Sequence, residues 1–403
     1  MLLTILLGKT IQKLSRLRGH GGSALPGLVI ERLQPTFIRN ILSSLPYGTV
    51  VITGTNGKTT TTKIVAQLLE GQGIKVFRNH TGSNFIRGII SSIIANIQLN
   101  GRFDYDIAIL ELDEAHAVKF AASIPYAYAL LLNIQPDQID RFKSTAQVAK
   151  LLATVASRAE KSVIINREDP LLTTIPLENP VYFGLASQLL PALALEKTPH
   201  QKTPALVTLE NYEAPTATFK IANLAYSSTL QLKGIYNAYN AAAALALVKT
   251  ILPSSSNPKL IASLESISPA FGRGETIHVG SQTIELYLVK NPTAFQLNLT
   301  AFASPDHDFM IAINDQPADG RDVSWLKQVD FSSLKTIVVA SGTRATYLAK
   351  ILRTHQLTLT HIEPQLKTAL KLFLKNSSRQ KRIFATYTAM LAIRKYLTGK
   401  SLL

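Results

Sequence analysis

With 403 residues, 46% of them apolar and 17% charged, the chain is long enough for two or three domains and too apolar to be disordered. It contains no cysteine, which excludes a disulfide scaffold, a thiolate nucleophile, an iron–sulfur cluster and a Cys-ligated zinc site. The net charge of +16 sits at the ends: residues 1–46 hold six Lys/Arg against Glu31, residues 341–403 hold twelve against Glu363, and the middle is balanced.

A basic face that meets anions follows from that distribution, whether acidic headgroups, a pyrophosphate or nucleic acid; the plain alternative is a solvated basic surface. No stretch reaches the roughly 18–20 apolar residues that a membrane span needs, and the basic residues of the first segment follow its apolar run, the reverse of a signal peptide. The spacing predicts an amphipathic helix over residues 4–18, which packs on the body or lies at a membrane surface. Gly19–Pro26 breaks it, and a second helix is expected over about 28–45. Thr49–Thr53 reads as a buried parallel strand and Thr60–Leu69 as a helix, with a glycine turn between them. Further strands are expected at Lys75–Phe77, Ile107–Glu111, Ala129–Asn133 and Ser162–Asn166. Strands alternating with helices predict a parallel α/β sheet. Residues 185–232, rich in Ala, Pro and Thr, read as a β-rich or loop insertion. Asn237–Leu252 reads as an alanine-rich helix. Phe271–Glu275 reads as a glycine-flanked hinge, with a domain boundary near 275. A second α/β pattern follows, with strands at Glu285–Val289, Phe309–Ile313 and Thr336–Ala340 and helices near 344–354, 365–375 and 384–398.

The strongest chemical signal is the turn Gly54-Thr55-Asn56-Gly57-Lys58-Thr59. Its glycines let successive N–H groups face phosphate oxygens, the following helix adds its positive end, Lys58 supplies a cation and the Thr59 hydroxyl can ligate Mg²⁺. The spacing is shorter than that of the general phosphate loop. Glu111, Asp113 and Glu114 end one predicted strand, and Asn133, Asp137 and Asp140 follow the next. Carboxylates at the carboxyl ends of parallel strands beside a nucleotide suit Mg²⁺, although each could instead cap the following helix. Glu111, set in an apolar strand, is the favoured metal ligand.

These residues resemble the Mur ligase superfamily, ATP-dependent enzymes that join a carboxylate to an amine through an acyl phosphate. The matching parts are the short loop Gly54–Thr60, Glu111 at the position of the family's magnesium-binding glutamate, Asn133–Arg141, Asn237 and Asn240, which open the alanine-rich helix, and Gly272–Glu275. The resemblance narrows to the MurT branch, the synthetase subunits of lipid II isoglutaminyl synthase. It does so through Gly21–Gly27, Thr81–Gly88, Leu112–Ala115, Asp137–Arg141, Lys290–Pro292 and Ala318–Trp325. Gln138 separates this branch from the amino-acid-adding ligases.

The resemblance implies an α/β chain in three parts. An N-terminal helical extension spans 1–46. A central parallel-sheet ATP-binding domain spans 47–275, with the insertion at about 185–232 in place of a zinc ribbon. A Rossmann-like C-terminal domain spans 276–403. It implies ATP and Mg²⁺ without zinc, with Gly54, Thr55, Asn56, Gly57, Lys58, Thr59, Thr60, Asn237 and Asn240 on the nucleotide and Thr59 and Glu111 on the metal. Arg273 approaches the phosphates on domain closure, and Asn84, Arg87 and Asp137 are candidates for the substrate. The implied reaction amidates the α-carboxyl of D-glutamate in lipid II, with ammonia from a GatD-like glutamine amidotransferase subunit in a heterodimer. Asp319 or Asp322 would complete that partner's catalytic triad. The implied place is the bacterial cytoplasm, with peripheral contact to an anionic membrane as an open reading. A stand-alone Mur or folylpolyglutamate-type ligase and a non-catalytic nucleotide-binding scaffold are the alternatives. No reader motif supports nucleic acid as a partner.

Overall fold

The structure, a computed structural model, describes residues 2–17, 24–79, 85–135, 144–193, 195, 203–334, 336–375 and 380–399. By contacts the chain separates into two units. One takes residues 1–134, 145–231 and 237–267; the other takes residues 268–403 with 135–144 and the segment Leu232–Tyr236.

The first unit is built on β1 (Thr49–Thr53), β2 (Val76–Arg78), β3 (Ile107–Glu111), β4 (Tyr126–Leu131), β5 (Ala159–Asn166), β6 (Val181–Leu185), β7 (Val207–Glu213), β8 (Thr216–Ile221) and β9 (Leu224–Thr229). They form one nine-stranded sheet in the order β2-β3-β1-β4-β5-β6-β7-β8-β9. Pairing is parallel from β2 across to β7, and β7, β8 and β9 form an antiparallel meander. The region expected to be a β-rich or loop insertion therefore extends the main sheet. The central parallel strands β1, β3 and β4 are buried along their whole length, as strands covered on both faces are: Val50, Val51, Ile52 and Ile107 to Leu110 are all fully buried. After β1 the chain passes through α4 (Lys58–Glu70) to the edge strand β2, returns to β3 beside β1, and then crosses to β4 on the other side. The order thus reverses at β1, and the carboxyl ends of β3, β1 and β4 frame a crevice of the kind that binds ligands in open α/β sheets.

Helix α8 (Ile235–Ile251) is buried almost all round, with Ala241 to Val248 at zero exposure. Alanine allows this, because its small side chain lets neighbouring elements approach closely from every side. The expected helix over about 28–45 is two helices, α2 (Leu25–Leu33) and α3 (Phe37–Leu42). Pro35 separates them, since it removes a helical donor and disfavours the helical conformation at Gln34. Helix α1 (Leu2–Leu17) packs on α2 and on α5 (Ile86–Asn96).

The second unit holds β10 (Arg273–Val279), β11 (Gln282–Leu288), β12 (His307–Ala312), β13 (Thr336–Ser341), β14 (Thr358–Glu363) and β15 (Gln380–Ala385), ordered β10-β11-β15-β12-β13-β14. Only β10 and β11 pair antiparallel. The stretch read as a glycine hinge thus contains the start of a strand. Gly272 (φ 65°) and Gly274 (φ 85°) lie in the left-handed region, and the ladder bulges between Arg273 and Glu275. The helices near 344–354, 365–375 and 384–398 are Ala345–Thr354, Leu366–Lys375 and Tyr387–Thr398.

Candidate functional site

The turn after β1 is fixed by its neighbours. Gly54 (φ 132°) lies so close to the β4 end that a Cβ there would sit 3.0 Å from both N and O of Asn133. Gly57 (φ 88°) is the left-handed N-cap of α4, and a Cβ on it would meet Asn240 Oδ1 of α8 at 2.5 Å. Glycine is therefore required at Gly57 both by conformation and by space. The helix opens at Lys58, so the positive end of its dipole lies at this turn. Asn133 braces the turn from the adjacent strand end. Its carbonyl accepts from Thr55 N (2.9 Å), its Oδ1 accepts from Asn56 N (2.9 Å), and its Nδ2 donates to Asn56 O (3.1 Å).

Lys58 is 8% exposed and its Nζ lies inside the loop, donating to Gly54 O at 2.5 Å and Thr55 O at 3.3 Å. Asp113 and Glu114, at the start of α6 (Glu114–Ser123), stand 3.5 and 3.9 Å from that ammonium. Thr59 Oγ1 donates to Glu111 Oε1 at 2.7 Å, and both residues are buried. Asn79, just past β2, holds Glu111 in place through its backbone: Glu111 N donates to Asn79 Oδ1 and Asn79 Nδ2 donates to Glu111 O, each at 3.0 Å. The hydroxyl and the carboxylate are hard oxygen donors side by side next to the turn, a set whose chemistry fits Mg²⁺. Among the described residues no group of three or more His, Asp or Glu side chains gathers as a metal cage.

The structure therefore brings Gly54, Thr55, Asn56, Gly57, Lys58, Thr59, Glu111 and Asn240 together, with Asn240 Nδ2 3.5 Å from Asn237 Oδ1. Thr60 is buried in the first turn of α4. Arg87 stands on α5, paired with Glu31 at 2.6 Å. Asn84 and Asp137 lie outside the described residues. In the second unit, Arg273 opens β10. Asp319 is 7% exposed and its carboxylate accepts from Thr388 N (2.7 Å), Thr388 Oγ1 (2.6 Å) and Gln316 N (3.1 Å). Asp322 is exposed and accepts from Ser324 N at 2.8 Å; that bond holds its carboxyl below the ordinary range.

Sequence reasoning missed a second buried cluster, at the end of β5. Tyr239 of α8 places its hydroxyl 2.5 Å from Asn166 Oδ1 and 2.6 Å from Glu168 Oε2. Asn166 Nδ2 donates to Leu132 O at 2.9 Å, and Asp169 Oδ2 accepts from Ile134 N at 2.6 Å, on either side of Asn133. Arg167 balances Glu168 through Nε and Nη2 (3.0 and 2.8 Å). Burial, and then the Glu168 charge, push the Tyr239 phenol well up, so it stays a donor. Burial also raises Asp169, against the backbone N–H groups of Ile134, Leu172 and Leu171. The available signal was position: Asn166 ends a strand on the same side of the sheet as Glu111 and Asn133.

Residues 52–248 match the Mur ligase middle domain family and residues 288–390 the MurT ligase C-terminal family. The chain is 29% identical to a Streptococcus pneumoniae protein described as lipid II isoglutaminyl synthase (glutamine-hydrolyzing) subunit MurT, over 94% of this chain and 93% of that one. It is 24% identical to the subunit of the same description from Staphylococcus aureus, over 84% of each. In fold it is similar to MurF from Acinetobacter baumannii, with a TM-score of 0.70 at 18% identity over 93% of this chain and 81% of that one. With a Mur ligase middle domain, a MurT ligase C-terminal domain and a Mur ligase fold, the chain belongs to the Mur ligase superfamily.

Proposed function

We propose that this chain is the ATP-dependent synthetase subunit of a lipid II isoglutaminyl synthase. The observation that carries this reading is the likeness to a MurT subunit along nearly the whole of both chains. The N–H groups of the Gly54–Thr59 turn and Lys58 hold the β- and γ-phosphates, Asn237 and Asn240 hold the nucleoside end, and Arg273 adds a cation to the phosphates. Thr59 and Glu111 would hold Mg²⁺, which would supply neutralisation of charge on the transferring group. Asn84, Arg87 and Asp137 are assigned to binding of the stem peptide. The D-glutamyl α-carboxylate then attacks the γ-phosphorus, the bond to ADP breaks, and ammonia displaces phosphate from the acyl phosphate to give the amide. Such a transfer needs positioning and charge neutralisation more than covalent help from the protein.

The ammonia comes from a glutaminase subunit bound as a heterodimer, since this chain has no cysteine nucleophile of its own. Asp322 is the aspartate that reaches that partner. Asp319 is buried with its carboxylate spent on Thr388 and Gln316, whereas Asp322 is exposed and anchored by a neighbouring N–H. The basic ends of the chain hold the complex at the anionic inner face of the membrane in the bacterial cytoplasm. No described helix is long and apolar enough to cross a membrane.

The test is amidation of lipid II by this chain with a glutaminase subunit, ATP and glutamine. Amide formation dependent on all three is expected; addition of a free amino acid without the partner would overturn the reading in favour of a stand-alone ligase. Asp322→Asn should lower glutamine-driven amidation by about 10²–10⁴-fold, while ammonium chloride still supports the reaction. The same loss from Asp319→Asn, with Asp322→Asn neutral, would reverse the assignment.

A further inference from the structure

Helix α1 has two faces of opposite purpose. The inner one docks on the body. Ile5 is fully buried, and Gly8 lies so close to α5 that a Cβ there would meet Ile94 Cδ1 at 2.9 Å. Gln12 Nε2 reaches Ser91 O of the same helix at 3.5 Å. The outer face carries Leu3, Leu6, Leu7 and Leu14, exposed at 81%, 43%, 40% and 52%. At 100° per residue those four positions fall within an arc of about 100°. Leucines this exposed and this aligned on one helix are not the scattered apolar residues of an ordinary surface.

The charge beside this stripe is of one sign. Lys9 and Lys13 lie along one border of it, and α1 contains no acidic residue. The single acid of residues 1–46, Glu31, is paired with Arg87 at 2.6 Å, which leaves the six Lys/Arg of that region uncompensated within it. A leucine stripe bordered by cations is the pattern of a helix lying in the plane of a membrane interface, where leucines enter the acyl boundary and lysines stay among the headgroups. We infer that the outer face of α1 is a docking surface for an anionic phospholipid leaflet. It deepens the membrane contact proposed above by giving it a surface, and it rests on that reading only for its biological purpose. Through α5 the docked helix is continuous with the body that carries the phosphate loop, so the protein would meet the leaflet with this side of its first unit.

Co-sedimentation of the full chain with vesicles of equimolar phosphatidylglycerol and phosphatidylcholine tests this, without ATP or lipid II. Binding is expected, at least about tenfold weaker on pure phosphatidylcholine and weakened by high salt. The triple change Leu3→Ser, Leu7→Ser, Leu14→Ser should reduce it more than about tenfold, since each leucine contributes by burying apolar area. Lys9→Gln with Lys13→Gln should reduce it about fivefold for each charge and should change the salt dependence. All five positions lie on the outer side or border of the helix, and an unchanged melting temperature verifies folding. Failure of the wild type to bind, or equal binding by the serine variant, overturns the inference. So does a wild-type dimer in sedimentation velocity that the serine changes dissociate, which would assign the face to a protein contact. None of these outcomes bears on ligase activity, and loss of ATP-dependent amidation with vesicle binding intact bears on the proposed function alone.

Discussion

Lys58→Ala is expected to reduce ATP turnover by about 10²–10³-fold, the loss typical when one preorganised donor to a developing negative charge is removed. The ammonium has a second duty that the same change exposes. It lies 3.5 and 3.9 Å from Asp113 and Glu114, the latter with a side chain only 8% exposed. Without Lys58 that buried carboxylate loses its nearby cation, at a cost on the order of several kcal/mol. Lys58→Ala is therefore expected to be less stable than wild type as well as inactive, and Lys58→Arg to recover stability more than activity, because a planar fork cannot replace a compact ammonium deep in the loop. An ADP-release assay with paired thermal melts checks both. Turnover within a few-fold of wild type would remove the loop from the mechanism.

Glu111→Gln is expected to act on the metal while sparing the fold. The amide keeps the shape of the carboxylate and can still accept from Thr59 Oγ1, which now lies 2.7 Å from Oε1. It lacks the charge that draws a hard cation out of its hydration shell. The Mg²⁺ concentration for half-maximal turnover should rise by at least about tenfold, with the melting temperature without metal unchanged or raised, since a buried charge has been removed. Removing Mg²⁺ from the wild type by chelation should abolish turnover. An unaltered Mg²⁺ titration curve would place the metal on other ligands.

What the sequence disclosed, and what it concealed, follows from how far apart the cooperating residues lie. The phosphate loop was legible because its determinants are consecutive: a β-branched strand, two glycines with positive φ and a helix, all between Thr49 and Glu70. Glu111 was legible as a lone acid in an apolar strand. Strand β15 was not, because its Lys381 and Arg382 look like surface residues. In the fold Lys381 is fully buried, 3.0 Å from Asp308 and 4.9 Å from the Phe373 ring, and Arg382 pairs with Glu285 at 2.6 Å. Those carboxylates are 73 and 97 residues away, and no local window contains them. Strand β14 alternates exposed and half-buried residues at the edge of its sheet and lacks the apolar run that marked the others. The difference in exposure between Asp319 and Asp322 depends on Thr388 lying against Asp319, which spacing does not carry.

The amide side chain of Asn166 has one end on Leu132 and the other on Tyr239, so a single residue ties the support of the phosphate turn to the helix bearing Asn237 and Asn240. In the site proposed above, the hold on the nucleoside end and the alignment of the triphosphate would then be mechanically coupled. A nucleoside triphosphate with the wrong base would be penalised in the speed of phosphoryl transfer, even at saturating concentration, and not merely in how tightly it is held.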